Sequence, residues 1–211
     1  MAKTTRDQYV MVTYEMIRSA GLEEVSVRKI VAKLGCTPGA LYRHFESLEY
    51  LETLACLRFL QEYNQKLKEL AQTRMTVEHN LRAWRIFIDC AFRLPAVYYA
   101  LFYGVYAKEL DRAVRDYCEI FQDYYEELNI AQVSVVLSHS IEDRDMMGME
   151  DSIGRELPDR ETAQFLARMD NSIFRSHLLA AVEAKDSLRS AQIGEECYHL
   201  IEELVQRMTA G

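Results

Sequence analysis

Apolar and polar positions follow a helical period through residues 26 to 45, SVRKIVAKLGCTPGALYRHF. Val27, Ile30, Val31 and Leu34 fall on one face, which predicts a short amphipathic helix. Ser26 stands where an N-cap belongs, and Gly35 supplies the permissive backbone for a sharp end. Thr37 and Pro38 then open a second helix, threonine as cap and proline at the first helical position, where its missing N–H costs nothing. Leu41 and Phe45 lie on its inward face with Pro38 and Leu34, leaving Gly39, Ala40, Tyr42, Arg43 and His44 outside or at the boundary. Two helices joined by a turn of a few residues form a helix-turn-helix unit. Small residues at the tip of the second helix let its backbone approach a groove. Arg, His and Tyr behind that tip can donate to phosphates or base edges.

The pattern stays helical afterwards, with only three prolines and eight glycines in the chain. Leu81, Trp84, Ile88, Ala91 and Phe92 follow helical spacing up to Pro95, where the chain should break or kink. Another long helical pattern covers about 106 to 128. From Asn129 to Pro158 the pattern is ambiguous: the apolar run Val133 to Leu137 fits strand or helix, and Glu142 to Arg155 reads as a loop with room for a short helix. Asp159 is a plausible N-cap for a helix reaching about Ala184. The last helix has the clearest stripe, made by Ile193, Cys197, Leu200, Ile201, Leu204, Val205 and Met208.

Charge changes the picture. The net charge of −8 argues against a polyanionic partner for the chain as a whole. Residues 1 to 48 nevertheless carry seven Lys and Arg against five acids, a net of +2, so the remainder is at −10. Only the N-terminal part is suited to meet nucleic acid, and through one face. Five separated cysteines without a Cys-x-x-Cys pair suggest neither zinc nor a disulfide framework, but reduced thiols in a cytoplasmic protein. The start of the chain lacks the apolar core of a signal peptide, and no apolar run approaches a membrane span.

Residues 9 to 56 resemble the DNA-binding domain of TetR/AcrR-family transcriptional regulators. The likeness rests on Gly21, Val25, Ser26, Val27, Arg28, Ile30, Ala32, Leu34, Gly35, Gly39, Leu41, Tyr42, His44, Phe45 and Leu51. It implies an all-α protein with an N-terminal three-helix domain (1–48; helices about 5–20, 26–34 and 38–44). A larger helical effector-binding and dimerisation domain (49–211) follows, entered by a connecting helix of about 47–72. It places Arg28, Thr37, Pro38, Gly39, Ala40, Tyr42, Arg43 and His44 at operator DNA. Such proteins generally pair through their last two long helices, which puts a homodimer interface on Phe165, Leu166, Met169, Ile173, Phe174, Leu200 and Leu204. One position departs from the family pattern: Leu48 stands where a lysine usually meets a phosphate, which predicts weaker or less salt-dependent binding.

Of the chain's 22 aromatic rings, 12 fall between Trp84 and Tyr125. Stripes at helical spacing usually make core; the other reading is an apolar pocket whose tyrosine hydroxyls orient a ligand. The resemblance implies a small-molecule effector, of unidentified structure, and Trp84, Phe87, Ile88, Phe92, Tyr99, Phe102, Tyr103, Tyr106, Tyr117 and Phe121 are the candidates to hold it. No cofactor, metal or membrane partner is expected, and no catalytic residue. Glu196 and His199 have the Glu-x-x-His spacing of di-iron bundles, but those need a second copy, which the sequence lacks. His79, His139 and His177 show no ligand spacing, and neither a phosphate loop nor a nucleophile elbow is present. Two other readings stand beside the regulator: a helical protein that has lost operator binding and acts through protein contacts, and a helical-bundle enzyme.

Overall fold

The computed structural model describes residues 4–70, 76–122 and 140–209. Among them the secondary structure is helical throughout, apart from one isolated bridge between Ile153 and Leu157. Helix α1 (Arg6–Ala20) packs on α2 (Val27–Leu34), and α3 (Pro38–Leu41) closes a small bundle with them. Its interior is Tyr9, Val10, Ile17, Ile30, Leu41 and Phe45, of which the last three lie on the faces that the periodicity assigns. The boundaries also follow from local chemistry. Gln8 Oε1 accepts from the Thr5 N–H at 3.1 Å, Ser26 caps α2 through the Lys29 N–H at 3.4 Å, and Gly35 ends α2 at φ 62°.

Three details of this bundle differ from expectation. Helix α3 stops at Leu41, and Tyr42 to His44 continue as tight turns, with the His44 N–H donating to Leu41 O at 2.9 Å. Thr37 holds the cap position without a side-chain bond, its carbonyl accepting from the Ala40 N–H at 2.9 Å instead. Pro38 is exposed rather than packed inward.

The connecting helix is two helices, α4 (Leu48–Leu57) and α5 (Leu60–Leu70). At the break the Arg58 and Phe59 N–H groups turn back to Ala55 and Cys56. Tertiary contacts account for it: the Arg58 guanidinium lies over the rings of Tyr14 (5.4 Å) and Phe121 (5.7 Å), and Phe59 packs on Tyr14. Helix propensity alone gives no hint of such a break. Residues 71 and 72 of the expected helix lie outside the described residues.

Then come α6 (Val77–Ala91), α7 (Pro95–Tyr103), α8 (Leu110–Ile120), α9 (Ile141–Met149), α10 (Arg160–Ala184) and α11 (Ser187–Thr209). Pro95 does break the chain and starts α7 at its first position. Of the pattern expected from 106 to 128, only Leu110–Ile120 is α-helix among the described residues; Val133 to Leu137 lies outside them. The stretch read as a loop with room for a short helix, 142 to 155, holds most of α9. Ser140 caps it through the Asp143 N–H at 3.1 Å, and Ile141, Asp145 and Met149 turn inward at helical spacing despite the acidic composition. Asp159 caps α10 through the Thr162 N–H at 2.8 Å, and the helix ends at Ala184 as expected.

Helices α10 and α11 lie side by side, with α6, α7 and α9 packed across them. Phe174 of α10 is the hub, its ring within 6.4 Å of Trp84, Phe87, Phe92 and Tyr103. Ser190 donates to Phe92 O at 2.5 Å, and Gly194 leaves room for the Phe92 ring, which a β-carbon would meet at 3.0 Å. The small residues thus let α11 close over the end of α6.

Candidate functional site

The helix-turn-helix presents Arg28, Thr37, Pro38, Gly39, Tyr42 and Arg43 to solvent, while Ala40 and His44 are half-buried. Tyr42, 51% exposed, is the most exposed aromatic side chain of this domain. The His44 ring packs 5.6 Å from Tyr9, whose hydroxyl meets Cys36 Sγ at 3.3 Å, so its outward edge is held by the core beneath it. Nothing lies within 4 Å of where a Gly39 side chain would start. The basic residues divide: Lys29 is tied to Glu24 at 2.5 Å, whereas Arg28 and Arg43 form no ion pair among the described residues. Two unpaired guanidinium groups on one exposed tip are suited to phosphate or guanine contact. Leu48 is half-buried against the core and begins α4, whose first turn is capped by Ser47 through the Tyr50 N–H at 3.0 Å.

This head is fastened to the body beneath it. The Tyr50 hydroxyl donates to Asp116 of α8 at 2.7 Å, Arg6 reaches the same carboxylate at 3.5 Å, and Arg112 bonds Glu46 at 3.2 Å. Burial, then the Asp116 charge, push the Tyr50 phenol well above its ordinary range. Ser47 Oγ meets the Tyr106 hydroxyl at 3.0 Å, and the Tyr50 and Tyr106 rings lie 5.0 Å apart. Tyr106, Tyr117 and Phe121 therefore belong to this junction: Tyr117 accepts from Arg58 at 3.3 Å, and Phe121 stacks on Tyr117.

The body holds a small cavity of about 50 Å³ lined by Tyr63, Asn80, Ala83, Trp84, Phe87, Ile141, Arg144 and Asp145. Of the ten residues expected to hold an effector, only Trp84 and Phe87 line it. Ile88, Phe92 and Phe102 are buried in the aromatic core, Tyr99 and Tyr103 are half-buried on α7, and the other three sit at the junction. The sequence shows abundant aromatic residues but not which rings fill space and which border it. Drug-sized sites need several hundred cubic ångströms, so this cavity in its present form admits only a small group.

Two carboxyl groups beside the cavity escape the sequence pattern altogether. Asp145 is 4% exposed and Asp170 is fully covered. Asp145 Oδ1 accepts from Asn80 Nδ2 at 2.7 Å and Trp84 Nε1 at 2.8 Å, while Asp145 Oδ2 and both Asp170 oxygens are buried with no donor among the described residues. Burial, reinforced by the Asp145 charge, pushes Asp170 up to about 9; burial also raises Asp145, against the lowering effect of its donors. The pair therefore retains a proton at neutral pH. The only hint available in sequence was acids on inward helical positions of α9 and α10.

On the outer side of α10 and α11, Phe165, Met169 and Leu200 are exposed, at 39%, 37% and 45%, and Ile173 and Leu204 are half-buried. Leu166 and Phe174 are wholly covered within the subunit. Both must be withdrawn from the expected interface, because neighbouring helices of the same subunit already cover them. Glu196 and His199 are exposed; Glu196 pairs with Arg189 at 3.3 Å and His199 faces Glu202 at 3.7 Å. Among the described residues no cluster of side chains suits a metal ion, and no single helix is long and apolar enough to cross a membrane.

Residues 11–51 match the family model described as bacterial regulatory proteins, tetR family. The helix-turn-helix segment is similar to that of this family. Solved structures extend the likeness of the TetR fold over the whole chain. A Thermus thermophilus TetR-family repressor, FadR, solved in complex with lauroyl-CoA, is 16% identical over 94% of each chain, with a TM-score of 0.57. A regulator from Rhodococcus sp. Rha1 is 16% identical over 97% of this chain and 96% of that one (TM-score 0.52). One from Aquifex aeolicus VF5 is 17% identical over 95% and 99% (TM-score 0.51). No curated protein sequence matches the chain. The molecule shares the fold of these solved transcriptional regulators.

Proposed function

We propose that the protein is a ligand-responsive repressor that binds operator DNA as a homodimer and is released by a small molecule bound in its body. Residues 1–48 are its DNA-binding domain and 49–211 its effector and dimerisation domain. The observation that carries the reading is the exposed tip itself, with Arg28 and Arg43 unpaired beside Thr37, Gly39 and Tyr42 on a TetR-family helix-turn-helix. The bonds from Tyr50, Arg6 and Glu46 to α8 supply a route by which the body can set the position of that tip. A second copy bound through α10 and α11 would bring two tips to successive major grooves, about 34 to 36 Å apart. The complex of the Thermus relative with lauroyl-CoA supports a small-molecule effector in this fold.

The mechanism is a shift between two states of the dimer, of which only one has the correct spacing, and ligand acts by its preference for the other. A tenfold loss of DNA affinity requires about 1.4 kcal/mol of that preference. The test is selection of bound fragments from the source genome by the purified protein, followed by titration of the best fragment. A specific site with two-fold symmetry is expected, and Arg43→Ala should weaken binding to it by about 1 to 3 kcal/mol. Binding that is equal for all sequences, or indifferent to Arg43→Ala and Arg28→Ala, would overturn the assignment.

A further inference from the structure

The proposed reading leaves the chemistry of the effector open, and the buried acids narrow it. Asp145 and Asp170 are acids buried in the interior of the body, Asp145 in the wall of a cavity that Tyr63, Asn80, Ala83, Trp84, Phe87, Ile141 and Arg144 complete, and Asp170 beside it. Isolated buried charge is costly and is ordinarily paired. Here the pairing is incomplete. Asn80 and Trp84 satisfy Asp145 Oδ1, but Asp145 Oδ2 and both oxygens of Asp170 have no side-chain or backbone donor among the described residues. The charged or titratable groups that face the pair are few: Tyr63 from α5, Arg144 from α9 and Cys197 from α11. The Arg144 guanidinium lies 4.8 Å over the Phe102 ring, and Cys197, pushed up to about 12 by burial and then the Asp170 charge, is a neutral thiol.

We propose that the Asp145–Asp170 pair is the receptor for a protonated primary or secondary amine whose apolar body rests on the rings of Trp84, Phe87 and Tyr63. The ammonium N–H groups offer the donors that the carboxyl oxygens lack, and the rings attract a cation through their faces. A quaternary ammonium has no such donor and is excluded. The exchange balances: the ammonium replaces the retained proton, both carboxyl groups become carboxylates, and one proton leaves to solvent. The small cavity suits the ammonium end, and a longer body must displace side chains around it. An anionic ligand would have to meet the acid pair, which disfavours it.

This inference rests on the proposed effector role, yet its test needs no DNA. Trp84 is the chain's single tryptophan and donates directly to Asp145, so its fluorescence reports the site. The full-length protein would be titrated with 2-phenylethylamine, 3-phenylpropan-1-ol and 3-phenylpropanoate. The amine should bind at least about tenfold more tightly than the alcohol, and the carboxylate more weakly still. Because a proton is released, amine affinity should rise toward tenfold per pH unit between about pH 6 and 8, and calorimetry in buffers of different ionisation enthalpy should count that proton. Asp170→Asn, which leaves one carboxylate and no retained proton, should flatten the pH dependence, and Asp145→Asn should abolish the preference for amine. Where Asp145→Asn does not fold, the amine-to-alcohol ratio and the proton count of the unaltered protein decide. Equal affinity for amine and alcohol, preference for the carboxylate, pH-independent binding, or no fluorescence response to millimolar amine would each overturn the proposal. Amine binding that leaves operator affinity untouched would uphold the site and count against induction, so the two readings fail separately.

Discussion

At the scale of single residues, the DNA-facing tip shows why position in a local network matters more than residue type. Lys29 and Arg28 are neighbours, but Lys29 is held by Glu24 at 2.5 Å whereas Arg28 is exposed and unpaired among the described residues. Removal of Lys29 should therefore change operator affinity far less than removal of Arg28. Leu48 gives a second contrast. It is half-buried on the core, and a lysine there can keep its aliphatic stem packed while its ammonium reaches solvent. Leu48→Lys should strengthen DNA binding and steepen the dependence of log affinity on log salt by about one unit, as read in a salt titration. An unchanged slope would show that no phosphate passes the start of α4.

The acid pair makes a residue-scale statement about stability. Asp170 holds its proton up to about pH 9, whereas in the unfolded chain it would release it near pH 4. Its folded value is raised, so between those limits the folded state binds more protons and stability falls as pH rises. Asp170→Asn should remove much of that slope, raising Tm by about 2 to 4 °C for each kcal/mol recovered, more at pH 8 than at pH 5. Thermal melts of the two proteins across that range would check it, and parallel pH profiles would contradict the assignment.

At the scale of elements, legibility followed the length and contrast of each stripe. α2, α10 and α11 could be read from spacing and caps, because Ser26, Gly35 and Asp159 mark ends of α2 and α10 with side-chain or backbone bonds that depend only on neighbours, and α11 carries a long apolar stripe. The break at Arg58 could not, since its cause is the stacking of Arg58 on Tyr14 and Phe121 from distant segments. α9 was legible only as a short helix that a loop had room for, because its inward positions include Asp145 and Gly148, the latter set against the Asn80 carboxamide. A polar residue serving a buried network looks the same in sequence as a solvent-facing one. The aromatic cluster failed in the opposite way, its composition being visible while its division into core, junction and cavity was not.

The junction between α4 and α8 is the element whose role can be isolated. Tyr50→Phe deletes the 2.7 Å bond to Asp116 while keeping the ring that packs on Tyr106. Loss of a hydrogen bond to a carboxylate should cost about 1.5 to 3 kcal/mol of stability. If α8 sets the head through this bond, the variant should still bind operator but respond less to effector, which paired titrations with and without ligand would read. Full induction in Tyr50→Phe would assign the coupling to Arg112–Glu46 or to the Ser47–Tyr106 contact.

At the scale of the whole molecule, the question is what covers the outer face of α10 and α11. Phe165 and Met169 are one helical turn apart on α10, Leu200 stands on α11, and Ile173 and Leu204 extend the same surface. Phe174 lies on the inner side, where it anchors Trp84 and Phe87, so the sides of α10 marked by Phe165 and Phe174 have separable functions. A single charge on the outer side need not disturb the core, whereas truncation on the inner side should. Phe165→Asp is therefore expected to leave the helical content and the Trp84 environment intact while shifting the protein from dimer to monomer in sedimentation at micromolar concentration. Operator affinity should fall with it, because one head cannot span two half-sites. Phe174→Ala should do the reverse, lowering stability by about 3 to 5 kcal/mol through the cavity it leaves, with the association state of the folded fraction unchanged. If Phe165→Asp remained dimeric and bound operator normally, α10 and α11 would not be the interface, and the spacing of the two DNA-binding heads would have to be set by another surface.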